Sequence, residues 1–331
     1  QSLFTNVVSA DEETDAVKTD LNEDAADDPA IWVNQDNPQN SLVIGTDKKA
    51  GLYVYNLKGE TTQFIEAGEL NNVDLRDGFP FKHKPSAIIC ASNRSKNSIS
   101  VFLLDKDSLK LGPIYDIKTE LAEVYGLCMY KSRDNDFFIF VNGKSGIIEQ
   151  HQIIYKEDKL SSKLCRKLQV NSQPEGMVAD DNTGDLYIGV EEEGIFLAQA
   201  DPSQPSDLKL IKESSKKYND KISYDIEGLA LYKKDSSSFL VASIQGSFSY
   251  AIFDITNKNR ISYITSFIIK SGIVDGVEET DGIELTTSTL NNTYPKGMLV
   301  VQDGFNTDQG IARSQNFKFV SLEKIESFLM K

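Results

Sequence analysis

Hydrophobic and polar positions alternate or cluster on the scale of β-strands along almost the whole chain. Short apolar runs, rich in β-branched and aromatic residues, cover 41–46, 51–57, 98–104, 137–142, 186–190, 239–243, 250–254 and 297–302. Turn residues bound them, as at Asn56-Leu57-Lys58-Gly59 and Asn182-Thr183-Gly184-Asp185, so the pattern predicts many short strands joined tightly. Long stripes of helical period are missing. One short helix is predicted over 321–331, where Leu322, Ile325, Phe328 and Leu329 share a face behind Ser321 as its cap.

The strands also recur as a unit. Glycine followed by an apolar residue opens a run at Gly126-Leu127, Gly176-Met177, Gly228-Leu229 and Gly282-Ile283. Earlier cognates are expected at Pro29-Ala30-Ile31 and Pro85-Ser86-Ala87-Ile88. A period of about fifty residues holding roughly four strands is that of a propeller blade. The expected architecture is therefore all-β, a six-bladed β-propeller with four-stranded antiparallel blades. Residues 21–331 form its single domain, behind an acidic N-terminal segment over 1–20.

In three of these repeats an acid precedes the glycine: Glu175, Glu227 and Asp281; Tyr125 holds the place in the fourth. Radial repetition would set these positions around the central channel. A ring of carboxylates repels itself unless cations sit among them. The same acids could instead cap turns at blade edges, and spacing alone leaves both readings open.

Composition narrows the chemistry. Fifty acidic and 35 basic residues give a formal charge of −15. Such a surface repels nucleic acid and anionic membranes and suits hard cations. Cys90, Cys128 and Cys165 are too scattered for a disulfide framework or a zinc site and read as buried apolar residues. The two histidines, His83 and His151, sit in no Arg-His-Gly signature. A Cys-x5-Arg loop and a Walker loop are absent, and Cys90 and Arg94 have the wrong spacing for the former. No apolar run approaches the ~20 residues that cross a bilayer. The Gln1-Ser2-Leu3-Phe4 start lacks a basic and then apolar leader, so any signal peptide is expected to have been removed already.

Asp24-Ala25-Ala26-Asp27-Asp28-Pro29-Ala30-Ile31-Trp32 closely resembles the opening motif of the β-propeller phytases. The likeness continues in family order through Asp47-Lys48-Lys49, Leu70-Asn71-Asn72-Val73-Asp74, Ala91-Ser92-Asn93-Arg94, Glu123-Val124-Tyr125-Gly126 and Asn142-Gly143-Lys144. It runs on through Gln173-Pro174-Glu175-Gly176, Asp225-Ile226-Glu227-Gly228, Ser243-Ile244-Gln245-Gly246, Thr280-Asp281-Gly282 and Gln302-Asp303-Gly304.

That resemblance implies several bound Ca2+ ions and stepwise hydrolysis of phytate by attack of a calcium-bound water. It assigns Asp27, Tyr125, Glu175, Glu191 and Glu227 as oxygen ligands at the cleavage site, with Asp225 and Asp281 supporting them and Gln245 hydrogen-bonding to the cluster. Lys48, Lys49, Arg94 and Lys144 match its phosphate-contacting residues, at a cleavage site and a neighbouring phosphate site, and Gln245 is expected to bind substrate with them. Asp28 matches one structural calcium site, and Asp275, Asp303 and Asn306 match another. Catalytic roles fall to Lys48, Arg94, Tyr125, Lys144, Glu191 and Glu227. The expected partner is phytate alone, bound by a monomer, with no nucleic acid or membrane. Two positions depart from the pattern: Ser145 and Phe305 stand where the family often has acids. A calcium-dependent lactonase-like hydrolase and a non-enzymatic calcium-binding propeller are the competing readings.

Overall fold

A computed structural model describes residues 6–329. Its main sheets are six antiparallel blades, joined by one small ribbon at Thr307–Asp308 and Ile311–Ala312. Blade one contains Ala26–Trp32, Leu42–Asp47, Gly51–Tyr55 and Thr61–Glu66. Blade two contains Leu70–Phe79, Ser86–Asn93, Ser98–Asp105 and Lys110–Lys118. Blade three contains Val124–Lys131, Phe137–Gly143, Ile147–Lys156 and Lys159–Gln169. Blade four contains Pro174–Asp180, Asp185–Val190, Gly194–Gln199 and Lys209–Ile211. Blade five contains Ile226–Lys234, Ser237–Ile244, Ser249–Asp254 and Ser262–Lys270. Blade six contains Ile283–Thr286, Met298–Asp303, Asn316–Ser321 and, from the other end of the chain, Glu12–Glu13.

Burial explains the sequence pattern. Each blade packs a sheet face against each neighbour, so a middle strand has no wet side. Leu42–Asp47, Phe137–Gly143 and Met298–Asp303 are buried at every position. Outer strands such as Thr61–Glu66 and Lys159–Gln169 alternate or stay exposed. Six apolar clusters fill the gaps between blades. Leu52, Ile89 and Phe102 join blades one and two, while Tyr55, Phe317 and Phe319 join blades six and one.

The ring closes through the N-terminal segment. Glu12 and Glu13 pair antiparallel with Phe319 and Lys318, and Asn6–Ser9 runs parallel to Ser262–Lys270 as a fifth strand of blade five. Residues 6–13 of the stretch set apart as an N-terminal segment are thus woven into two blades.

Two expectations need correction. The second-blade cognate is Asn71-Asn72-Val73, which lies in the inner strand, because Pro85–Ile88 opens the second strand instead. Asparagine in the glycine's place hid the repeat. The terminal helix spans only Glu323–Glu326. Ser321 ends a strand and does not cap it; Leu322 and Ile325 are buried, and Phe328 and Leu329 pack on the same cluster. Residues 330 and 331 lie outside the described ones. Cys90 and Cys128 are buried, and Cys165 is partly exposed.

One irregularity is shared by blades one to five. Each inner strand slips register at the same place: after Ala26, Leu70, Val124, Pro174 and Ile226. In blade six the equivalent Asp281-Gly282 comes directly before Ile283–Thr286. A bulge inserts residues that the neighbouring strand does not pair, and so re-aims their side chains. Here it turns Asp27, Tyr125, Glu175 and Glu227 toward the channel.

Candidate functional site

The residues at the equivalent positions are Asp27, Asn71, Tyr125, Glu175, Glu227 and Asp281; all but Asn71 line the central cavity, and Asn71 is buried with its amide donating to the Tyr125 carbonyl (3.2 Å). What the glycine does is visible from geometry. A Cβ on Gly126 would sit 2.3 Å from the Glu175 carbonyl oxygen, and one on Gly176 would sit 2.3 Å from that of Glu227. On Gly228 it would lie 2.7 Å from the Asp281 oxygen, and on Gly282, 2.7 Å from that of Asp27. Each glycine therefore lets the next blade's acid-bearing residue approach the axis. Backbone bonds stitch the ring: Gly228 N–H donates to Asp281 (2.8 Å) and Gly282 N–H to Asp27 (2.9 Å). Side chains help, with Asn142 donating to the Glu175 carbonyl (3.0 Å) and Ser92 to that of Tyr125 (2.6 Å).

The ring encloses a cavity of about 210 Å³ lined by Asp27, Lys48, Tyr125, Glu175, Glu191, Glu227, Gln245 and Asp281, among others. Oxygens of Glu175, Glu191 and Glu227 all lie within 4.8 Å of one another. The Glu191-Glu192-Glu193 run thus divides, with Glu191 facing the cavity. Lys48 reaches the other side, with Nζ 2.7 Å from Asp24, 3.2 Å from Asp27 and 3.3 Å from Asp281. Gln245 donates to Asp281 (2.7 Å), and Gln173 donates to Glu175 (2.6 Å).

Crowding sets the electrostatics. Burial pushes the Glu175 carboxyl up to about 8, and the neighbouring Glu191 adds to it. Burial, then Glu175 and Asp281, hold Glu227 well above the carboxylate range. Asp281 is raised likewise by burial and by Asp27. Burial raises Glu191, with Asp225 next in effect, and raises the Tyr125 hydroxyl, with Glu175 next. Lys48 is also raised, which for an ammonium means that the charged form is favoured. Burial opposes its charge, but Asp27, Asp281 and Asp24 keep the ammonium protonated. Hard oxygen donors, mutually repelling and partly dry, fit a divalent cation.

The remaining expected residues fall in three places. Lys144 stands with Nζ 5.1 Å from the Tyr125 ring centre, and Arg94 bonds through Nε to Glu123 at 3.1 Å; both lie at the rim outside the cavity lining. Lys49 is exposed and makes only a backbone bond to Asp47 (2.8 Å), away from the lining. Asp225 sits beside Glu191 and accepts the Gln245 N–H through its carbonyl (2.9 Å). Asp28 lies beneath the ring and accepts the Val73 N–H (3.0 Å); burial and Asp27 push its carboxyl well up.

Asp275, Asp303 and Asn306 do converge, but on Lys318. Its Nζ lies 2.7 Å from Asp303, 3.1 Å from Asn306, 3.1 Å from Asp275, 2.7 Å from Asn316 and 2.9 Å from Glu13. These oxygens already hold an ammonium, so the fit to a calcium ion there is poor. Phe305 is largely exposed beside them.

Sequence reasoning missed Asp24 and Asn72, which also line the cavity. Both belong to motifs quoted above, and in blade two it is Asn72, next to the equivalent position Asn71, that reaches the cavity. Lys318 gave no signal of its role.

The chain matches the model of the family described as Phytase over residues 2–331. It is 42% identical to the 3-phytase of Bacillus subtilis (strain 168) over 332 residues, 97% of this chain and 85% of that protein. Among solved structures, BBS1N in complex with ARL6DN superposes at a TM-score of 0.48 with 10% identity, over 84% of this chain and 74% of that one.

Proposed function

The chain belongs to the phytase family, and from that premise we propose that it releases phosphate from phytate with calcium ions held at the channel mouth. The observation that carries the calcium reading is the convergence of Glu175, Glu191 and Glu227 within 4.8 Å. The donors are all oxygen, as calcium prefers with its ~6–8 ligands at about 2.3–2.6 Å. Asp27 and Asp281 complete the acidic wall, and Tyr125 adds a hydroxyl to it. Bound there, calcium supplies positive charge to the phosphate oxygens and makes an attacking water more acidic.

The chain's own residues do the rest. Lys48, kept charged inside the cavity, offers a compact cation to a phosphate oxygen. Lys144 at the Tyr125 ring faces the same space from the rim. Arg94, braced by Glu123, presents a planar fork to a second phosphate on the same ring. Gln245 fixes Asp281, so that acid cannot swing away. The lining holds no histidine or cysteine, so neither of those nucleophiles is at hand, and carboxylates engaged with a cation would leave the attack to water. Asp28 would hold a further ion beneath the ring. A lactonase-like reading would leave Lys48, Lys144 and Arg94 without work. A secreted or periplasmic monomer suits this reading, and no helix among the described residues is long and apolar enough to cross a membrane.

The test is phosphate release from phytate by the purified protein, with a chelator and after calcium is restored. Loss and recovery are expected. A chelator-resistant rate would sink the calcium assignment, and no release with calcium present would sink the phytase reading.

A further inference from the structure

Between blades four and five the chain leaves the outer strand Lys209–Ile211 and crosses to the inner strand Ile226–Lys234. This crossing carries charge that the site above does not use. Residues 207–221 hold five lysines and three acids, in a chain of net charge −15. Lys212, Lys216, Lys217 and Lys221 are exposed. Among the described residues none of these four forms an ion pair, whereas nearby Lys258 pairs with Asp185 at 2.9 Å.

Tyrosine rings take the place of carboxylates. Lys217 and Lys212 lie 5.4 and 5.8 Å from the centre of Tyr218, Lys216 lies 5.6 Å from Tyr224, and Lys221 lies 5.7 Å from Tyr263. A ring face orients an ammonium without cancelling its charge. The backbone beneath is fixed. Ser214 Oγ accepts the Ile195 N–H (2.7 Å) and donates to the Ile211 carbonyl (2.6 Å). Tyr218 and Asn219 N–H groups donate to Ser215 at 3.0 and 2.9 Å, and Ile222 is buried.

The crossing is also placed at the mouth. Ser214 and Ser215 pack against Gly194, at the end of the turn that carries Glu191. At its other end, Tyr224 joins Asp225, which faces Glu191. Down the blade junction lies a cavity of about 310 Å³ whose lining carries Lys209, Lys212, Lys258 and Arg260 against one acid, Glu213.

We propose that this lysine–tyrosine crossing is a capture surface for a polyphosphorylated small anion, which it steers to the mouth through phosphates that are not being cleaved. This rests on the phytase reading and deepens it. A polyanion approaching so acidic a protein is repelled over most of the surface. A patch of unneutralised ammonium groups beside the mouth gives the field a local sink. Such steering raises association rates by ~10–10³ and fades as salt shortens the ~8–10 Å screening length.

The experiment compares Lys216→Gln/Lys217→Gln with Lys82→Gln/Lys84→Gln. The second pair removes equal charge from exposed lysines after Leu70–Phe79, at the far end of the channel. Steady-state kinetics on phytate and on a monophosphate ester are measured in low and high NaCl. Calorimetry measures phytate binding to the calcium-loaded protein. The crossing pair should raise KM for phytate about five- to tenfold at low salt, with a much smaller change for the monoester. The difference should vanish by roughly 0.5 M NaCl, and the far pair should behave as wild type. Equal losses from both pairs, or an unchanged KM and Kd for phytate in the crossing pair, overturn the proposal. A wild-type protein that binds phytate through these lysines but releases no phosphate leaves the capture surface standing and defeats the phytase reading.

Discussion

Carboxylates crowd together in two regions of this molecule, and the two are balanced differently. In blade six, Glu13, Asp275 and Asp303 surround the fully buried ammonium of Lys318. Burial opposes its charge, but Asp303 and Glu13 hold it protonated. At the mouth, Lys48 reaches only Asp24, Asp27 and Asp281. Among the described residues Glu175, Glu191 and Glu227 form no ion pair, with Lys144 only near Glu191, and their carboxyls are pushed upward by burial. In blade six the fold provides an internal cation for its carboxylates; at the mouth it leaves three acids crowded together, the deficit that the proposed calcium would fill.

Removing each balance should have opposite consequences. Lys318→Met strips the internal cation and leaves buried carboxylates uncompensated. It should lower the unfolding free energy by about 3–5 kcal/mol, read by urea or thermal denaturation. A loss below ~1 kcal/mol would mean that the blade-six acids are balanced in another way.

Glu227→Gln acts on the other side of the comparison. It removes an oxygen charge from the mouth, so phosphate release from phytate should drop on the order of 10²-fold, or ~2.7 kcal/mol in the barrier. The circular dichroism spectrum should not change. The metal-free variant should melt no lower than wild type, because repulsion has been relieved. Near-normal turnover would take Glu227 out of the ligand set.

The smallest effect is on pH. Glu175 titrates near 8 in the fold against an ordinary 4.5, so the folded state binds the extra proton between these values. The stability this contributes is complete below about 4.5 and is lost as pH rises through about 8. Without calcium, the melting temperature should therefore fall by several degrees across that window. Calcium should flatten the decline, since binding displaces the protons. A chelated protein whose melting temperature rises from pH 5 to pH 8 would contradict the crowding at the mouth.

The sequence disclosed the mouth better than the closure. Tyr125, Glu175, Glu227 and Asp281 were legible because each sits before a glycine that the ring's close approach demands. Asn71 escaped because Asn72, not glycine, follows it. Its position can be found only through the shared slip of register. Lys318 was illegible for a different reason. In Asn316–Ser321 a lysine between two phenylalanines reads as one solvent-facing position of an alternating strand, yet every residue of that strand is buried. Glu12–Glu13 is too short to announce a strand, and its partners, Phe319 and Lys318, lie at the other end of the sequence, beyond any local pattern.

That last pairing also decides how the molecule tolerates being cut and joined. Residues 12–13 and 318–319 meet in one sheet, so neither segment is dispensable. Removing residues 6–13 would unlatch the circle at a seam where Glu13 also touches the Lys318 cage. A fusion appended outside this seam leaves the latch intact, whereas new termini are better opened at an exposed hairpin such as 257–260.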